Sequence, residues 1–179
     1  ETMFSDASEP CEYQFGLTGT FALMIGFAVG IPPLWNIETG ESGIGVFGLM
    51  DQGSNNGRGI SPSPPTVWTR IFAGWEYPSE VNFGSIIDLS SRKEGAAIKV
   101  PINNSEYYLI ENRDNSVHDG ISLDSMRYVI WENNGETDYP PLIEILQDSS
   151  GIIKDENGVV ISVPNYDIGL PTSGLLIWH

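Results

Sequence analysis

The sequence TFALMIGFAVGIPPL, Thr20–Leu34, lies inside a run from Tyr13 to Ile37 that holds no charged residue. Phe15–Val29 is apolar enough for a buried helix. Thr18 or Thr20 is a suitable N-cap, and Gly30 with Pro32 behind it is a stop signal. A membrane span is the rival reading, and Gly26-xxx-Gly30 matches the small-xxx-small pattern of packed membrane helices. However, the apolar core from Phe21 to Ile31 is shorter than the roughly 20 residues a bilayer needs. Pro32-Pro33 closes it and no Lys or Arg flanks it. A core helix without a membrane span is therefore expected. The stretch has the length and punctuation of an active-site helix, yet carries no group that could do catalysis.

Downstream, Glu38–Pro65 is a long glycine-rich loop with too little periodicity for regular structure, and loops of this length usually belong to a functional site. Thr66–Trp75 places Val67, Ile71 and Trp75 at helical spacing and predicts a short amphipathic helix ending near Gly74. From Val81 the pattern changes to strands, predicted at Gly84–Leu89, Ala96–Ile102, Glu106–Glu111, Tyr128–Glu132, Ile152–Lys154, Gly158–Val163 and Gly174–Trp178. Asn133-Asn134-Gly135 and Asn157-Gly158 read as hairpin turns, because Asn-Gly tolerates positive φ. Asp114–Asp124 reads as a polar loop. The reading is a helical part over 1–80 and a β-rich part over 81–179, packed as one continuous α+β domain.

The charge balance narrows the partners. Eight Lys and Arg stand against 24 Asp and Glu, for a net charge of −16. Phosphate binding needs a basic footprint, so nucleic acid is an unsuitable partner. Such acidity suits a secreted protein, a salty environment or calcium contacts. Cys11 is the only cysteine, which excludes an intrachain disulfide and a cysteine-based zinc cluster. Glu1-Thr2-Met3-Phe4 is not a basic signal-peptide start, and Trp178-His179 ends an apolar run abruptly. A piece of a longer protein is expected.

Catalytic raw material is sparse. His118 and His179 are the only histidines. His118 sits in the polar loop with Asp114 and Asp119, where a surface histidine is the simpler reading. No Gly-x-Ser-x-Gly turn follows a strand, and no P-loop or dinucleotide fingerprint is present. Glu111 falls two residues before Arg113 on a predicted strand, so the two share a face and can pair. Asp114, Asn115, Asp119 and Asp124 are closely spaced oxygen ligands of the kind calcium accepts, without EF-hand spacing. Asn103-Asn104-Ser105 is a formal N-glycosylation sequon.

The order of pieces carries a resemblance. A charge-free helix closes with Gly30-Ile31-Pro32-Pro33-Leu34-Trp35. A glycine-rich loop leads to Phe47-Gly48-Leu49-Met50-Asp51-Gln52-Gly53-Ser54. Pro64-Pro65, Trp68 and Ala73-Gly74-Trp75 follow, then Tyr107–Arg113 and Leu170–His179. This order, from Gly16 to His179, resembles the secreted bacterial zinc metalloproteases of the immune inhibitor A-like family. The resemblance implies a zincin-like catalytic C-terminal subdomain, helix plus methionine-turn loop, followed by a β-rich part. In that family the helix reads H-E-x-x-H-x-x-G-L-P-D-L, and Leu-Met-x-x-Gly-Ser supplies the methionine turn beneath the zinc.

Anchored on Gly30, the resemblance puts the first zinc histidine at Leu23, the general-base glutamate at Met24 and the second histidine at Phe27. The following acid falls at Pro33, and the first carboxylate after the helix is Glu38. Gly30 and Met50 keep structural positions. Zinc needs nitrogen, oxygen or thiolate donors, and neither Leu23 nor Phe27 has one. Met24 cannot take a proton from a metal-bound water. The implied reading is a catalytically inactive metalloprotease-like domain, extracellular or at the cell surface, with no zinc, possible calcium, and a protein partner or other chains of an extracellular assembly. The alternatives are a peptidase or hydrolase working through His118, Glu111 and loop aspartates, and a purely structural subunit.

Overall fold

Helix α1 runs Thr18–Ala28. It is followed by two 3-10 segments, Gly45–Phe47 and Gln52–Gly59, and by helix α2, Val67–Phe72. The strands are β1 Ser79–Glu80, β2 Ile98–Pro101, β3 Tyr107–Arg113, β4 Ser116–His118, β5 Ile121–Ser122, β6 Ile153–Lys154, β7 Val160–Ser162 and β8 Gly174–Trp178, with a 3-10 turn at Tyr166–Gly169 before β8. This computed structural model describes residues 16–82, 84–91, 96–118, 121–122, 132–133, 153–154, 156, 160–162 and 165–179. The architecture is α+β, with few helices and one mixed four-stranded sheet ordered β1-β2-β3-β8. The β1–β2 pair is parallel, while β2–β3 and β3–β8 are antiparallel. Two small antiparallel pairs, β4–β5 and β6–β7, stand outside it. No helix among the described residues is long and apolar enough to cross a membrane.

Both helices end as glycine permits. Gly30 takes φ +88. Its N–H bonds the Phe27 carbonyl at 3.0 Å, and the Ile31 N–H bonds the Gly26 carbonyl at 2.9 Å. This is the paired closure of a Schellman motif, which needs a left-handed residue just past the helix. Gly74 repeats it at φ +73, with its N–H on Ile71 and the Trp75 N–H on Arg70. The start of α2 is capped by Thr66, whose hydroxyl accepts from the Thr69 N–H. The start of α1 differs from the expectation: Leu17 is the N-cap, and no side chain caps it. Thr18 and Thr20 lie within the helix.

The face of α1 that packs inward is made of glycine. Gly19 and Gly26 are its buried residues. A β-carbon at Gly19 would stand 1.8 Å from the Ser54 carbonyl oxygen, so the 3-10 segment Gln52–Gly59 lies hard against the helix. Ile31, Leu49 and Met50 form the apolar cluster under this face, with Ala22, Leu23, Phe27, Leu34 and Ala73 packed around them. A second cluster lies between α2 and the sheet. Val67, Ala97 and Leu109 are buried there, with Trp68, Ile71 and Trp178 against them. β3 alternates as a strand should, with Leu109, Glu111 and Arg113 on the inner face.

Other segments depart from the sequence expectations. Gly84–Leu89 is not a strand: Gly84 has φ +87, and Ile86 is fully exposed. The Glu38–Pro65 loop holds two 3-10 segments, ordered by contacts distant in sequence. Part of the Asp114–Asp124 loop is the β4–β5 pair, with Ser116 opposite Ser122. The strand predicted at Tyr128–Glu132 lies outside the described residues except at Glu132. The Asn133-Asn134-Gly135 turn lies outside them except at Asn133, and the Asn157-Gly158 turn wholly so.

Candidate functional site

The helix positions where the resemblance places zinc chemistry are occupied by packing. Leu23 and Phe27 lie four residues apart on one face and pack onto Ile31, Leu49 and Met50. The Phe27 ring meets the Trp35 ring edge-on, with centroids 5.7 Å apart and planes at 73°. Met24 points away from this cluster and is 55 % exposed. Pro33 is half-buried, and Glu38 lies exposed in the following turn. Met50 is 1 % exposed directly under the helix. Its carbonyl accepts the Leu34 N–H at 2.9 Å, which ties the chain after the helix to the Met50 turn.

Beside Met50 stands a carboxylate whose Oδ2 is fully engaged by the chain itself. Oδ2 of buried Asp51 accepts from the Ser42 hydroxyl at 2.8 Å and from the backbone N–H groups of Gly43, Ile44 and Gly45 at 2.9, 2.8 and 2.9 Å. Oδ1 accepts from the Gln52 N–H at 2.8 Å. Consecutive amides converging on one anion form a nest. Gly45 allows it by adopting φ +63. Gly43 allows it by close approach, since a β-carbon there would lie 2.4 Å from the Leu34 carbonyl oxygen. Burial raises the Asp51 pKa, but the bonds from Ile44, Ser42, Gly45 and Gln52 outweigh it and hold the carboxyl below the ordinary aspartate value.

Glu111 belongs to an ionic chain. Oε1 accepts from the Val67 N–H at 3.2 Å and from Trp178 Nε1 at 2.9 Å. Oε2 faces both Arg70 Nη atoms, each at 3.2 Å, and Arg113 Nε at 3.2 Å. The Arg113 Nε contact is ionic, because its angle does not make a hydrogen bond. Arg70 also pairs with Glu76, and Arg113 Nη1 reaches Asp167 at 2.6 Å. The line Glu76–Arg70–Glu111–Arg113–Asp167 therefore stitches α2 to β3 and to the turn before β8. Arg113 Nη2 is buried and has no hydrogen-bond partner among the described residues. The Glu111–Arg113 pairing read from the strand spacing is present; Arg70, Glu76 and Asp167 carried no local signal. Glu111 is fully engaged, which suits a structural anion better than a general base.

The remaining candidates scatter. Asp114 Oδ1 accepts from the Ser116 N–H at 2.9 Å and from the Ser173 hydroxyl at 3.2 Å. Asn115 is buried, with Nδ2 on the Leu170 carbonyl. Asp119 and Asp124 lie outside the described residues, as does Cys11. Among the described residues, no group of three His, Cys, Asp or Glu side chains is arranged to hold a metal. His118 lies on β4, whereas His179 follows β8, with its ring 5.2 Å from that of Tyr108. The Asn103 amide of the sequon is already engaged: Oδ1 accepts from Ser105 and Glu106, and Nδ2 donates to Glu106.

A cleft of about 490 Å³ opens between the sheet, the start of α2 and the segment after α1. Leu34, Ile44 and Leu109 are apolar lining residues, and Trp68, Tyr107 and Trp178 are aromatic ones. Glu106 and His179 also line it.

No family model, curated protein or solved structure matches this chain.

Proposed function

We propose that this chain is a catalytically inactive, metalloprotease-like domain of a secreted protein, kept for binding or assembly. The observation that carries the reading is the packing of Leu23 and Phe27 onto Met50 at the helix positions where the resemblance expects histidines. Histidines at positions 23 and 27 left without zinc would be partly buried polar groups lacking partners, each costing on the order of 1–3 kcal/mol. Leucine and phenylalanine remove that cost and add apolar contact. The zincin-like fold and the extracellular location belong to the same proposal and rest on the resemblance, while calcium binding rests on the closely spaced Asp114, Asp119 and Asp124.

A role in assembly has its own support. Phe21, Met24, Ile25 and Val29 on the outer side of α1 are 60, 55, 63 and 63 % exposed. Adjacent exposed apolar residues of this size mark surfaces that partners cover. The direct test is incubation of the purified chain with a fluorogenic peptide library and unfolded casein, with zinc and with a chelator. No cleavage is expected under either condition. Cleavage abolished by the chelator would overturn the reading.

A further inference from the structure

The cleft at the open end of the sheet has a wall of fixed aromatic rings and a carboxylate without an ionic partner among the described residues. Trp178 is held by its Nε1 bond to Glu111, and Trp68 is stacked on Phe72 with ring centroids 5.2 Å apart and planes at 18°. Tyr107 already carries a cation: Lys99 Nζ lies 4.9 Å from its ring centroid and is paired with Glu80 at 3.6 Å. Glu106 is placed by its own backbone. Its N–H donates to Asn103 Oδ1, and its carbonyl accepts from the Ile102 and Asn103 N–H groups, which locks the β2–β3 turn. Asn103 Nδ2 donates to Glu106 Oε2, and among the described residues no Lys, Arg or His forms an ion pair with this carboxylate. With Lys99 compensated by Glu80, the Glu106 carboxylate stands without a cation among the described residues.

We propose that this cleft recognises an arginine side chain presented by a protein partner. The guanidinium plane lies against the aromatic wall, its N–H fork meets Glu106, and its methylenes run over Leu34, Ile44 and Leu109. Arginine fits these features better than lysine, because its planar cation stacks on rings and bonds a carboxylate in a fork. The cleft volume of about 490 Å³ suits one such side chain with its flanking backbone. A chain of net charge −16 attracts basic partners at long range, and the cleft supplies the short-range selection. The proposal goes beyond the non-catalytic reading, since no residue of α1 lines the cleft.

The test titrates the full chain with acetyl-Gly-Gly-Arg-Gly-Gly-amide and its lysine and citrulline equivalents, following the Trp178 indole N–H by NMR. A saturable shift is expected with the arginine peptide, with the citrulline peptide about tenfold weaker or worse, because it keeps the shape and loses the charge. Glu106→Gln is expected to weaken arginine binding by about tenfold, as loss of a charge-assisted pair does. Glu106 is exposed and makes no core contact, so that variant retains the fold. Glu38→Gln, an exposed charge that does not line the cleft, should leave binding unchanged. Equal binding of citrulline or lysine, equal weakening by Glu38→Gln and Glu106→Gln, or no Trp178 shift would each overturn the proposal. Mass spectrometry of the recovered peptide separates the two readings. Cleaved peptide would count against the non-catalytic reading alone, and intact unbound peptide against the cleft alone.

Discussion

A β-carbon built on Gly26 would lie 2.8 Å from Met50 Sδ and 3.0 Å from Cε, so helix and turn meet with no room for a side chain between them. The same face meets the Ser54 backbone at Gly19, where the corresponding distance is 1.8 Å. The two glycines therefore predict different outcomes. Alanine in a helix gains about 1 kcal/mol over glycine in propensity. At Gly26 the flexible thioether can swing aside, and Gly26→Ala should fall within about 1 kcal/mol of the parent. At Gly19 the obstacle is backbone, and Gly19→Ala should lose about 1–3 kcal/mol. Urea unfolding midpoints check the order; Gly26→Ala as the more damaging change would contradict this packing.

The ionic line through the inner sheet face predicts a large single-site effect. Glu111→Gln removes the charge facing both Arg70 and Arg113 while keeping the side-chain shape. Arg113 is 93 % buried at its side chain, leaving 7 % exposed, and would retain only Asp167. Removing one partner of a buried pair costs roughly 3–5 kcal/mol, and that is the loss expected by chemical denaturation. A change below about 1 kcal/mol would place the pair among weak surface bridges instead.

Asp51 predicts the pH response. Its folded pKa is lowered, so it contributes stability above the ordinary aspartate pKa. That contribution should shrink from about pH 4 downward as the folded carboxylate takes up a proton. Asp51→Asn should be less stable at neutral pH, because an amide brings donors toward the Gly43–Gly45 N–H groups. It should also lose less stability between about pH 5 and pH 3 than the parent does. Denaturation midpoints of both proteins across that range measure the difference, and parallel curves would refute the role given to Asp51.

Helix α1 predicts an asymmetry between two positions three residues apart. Met24 is 55 % exposed, so Met24→Glu should stay within about 0.5 kcal/mol of the parent. Phe27 packs on Met50 and meets Trp35, so Phe27→His should lose about 1–3 kcal/mol. Thermal unfolding of the two variants distinguishes a packing face from an open site, where the two changes would be equally mild.

Much of the framework was legible where a local rule applied. Gly30 and Gly74 ended their helices because only a left-handed residue closes that turn. The alternation of Tyr107–Arg113 put Glu111 and Arg113 on one face. The start of α1 was misread because side-chain capping is optional when the preceding backbone closes the first turn. Gly84–Leu89 had strand-like composition but pairs with no strand among the described residues. The close approach at Gly19 and Gly26 was hidden, because periodicity follows large side chains and glycine has none. The Asp51 nest and the Arg113–Asp167 pair depend on residues brought together by the fold, the latter 54 positions apart in sequence.

Zinc stoichiometry tests the central claim most directly. The full chain, expressed with zinc in the medium, is dialysed and its metal measured by mass spectrometry, followed by a calorimetric zinc titration. With Leu23 and Phe27 packed on Met50, zinc well below about 0.1 per chain and no saturable heat at this helix are expected, since zinc sites need about four donor groups. Stoichiometric zinc that is lost in Leu23→Ala or Phe27→Ala, and retained in a variant altered away from α1, would contradict it.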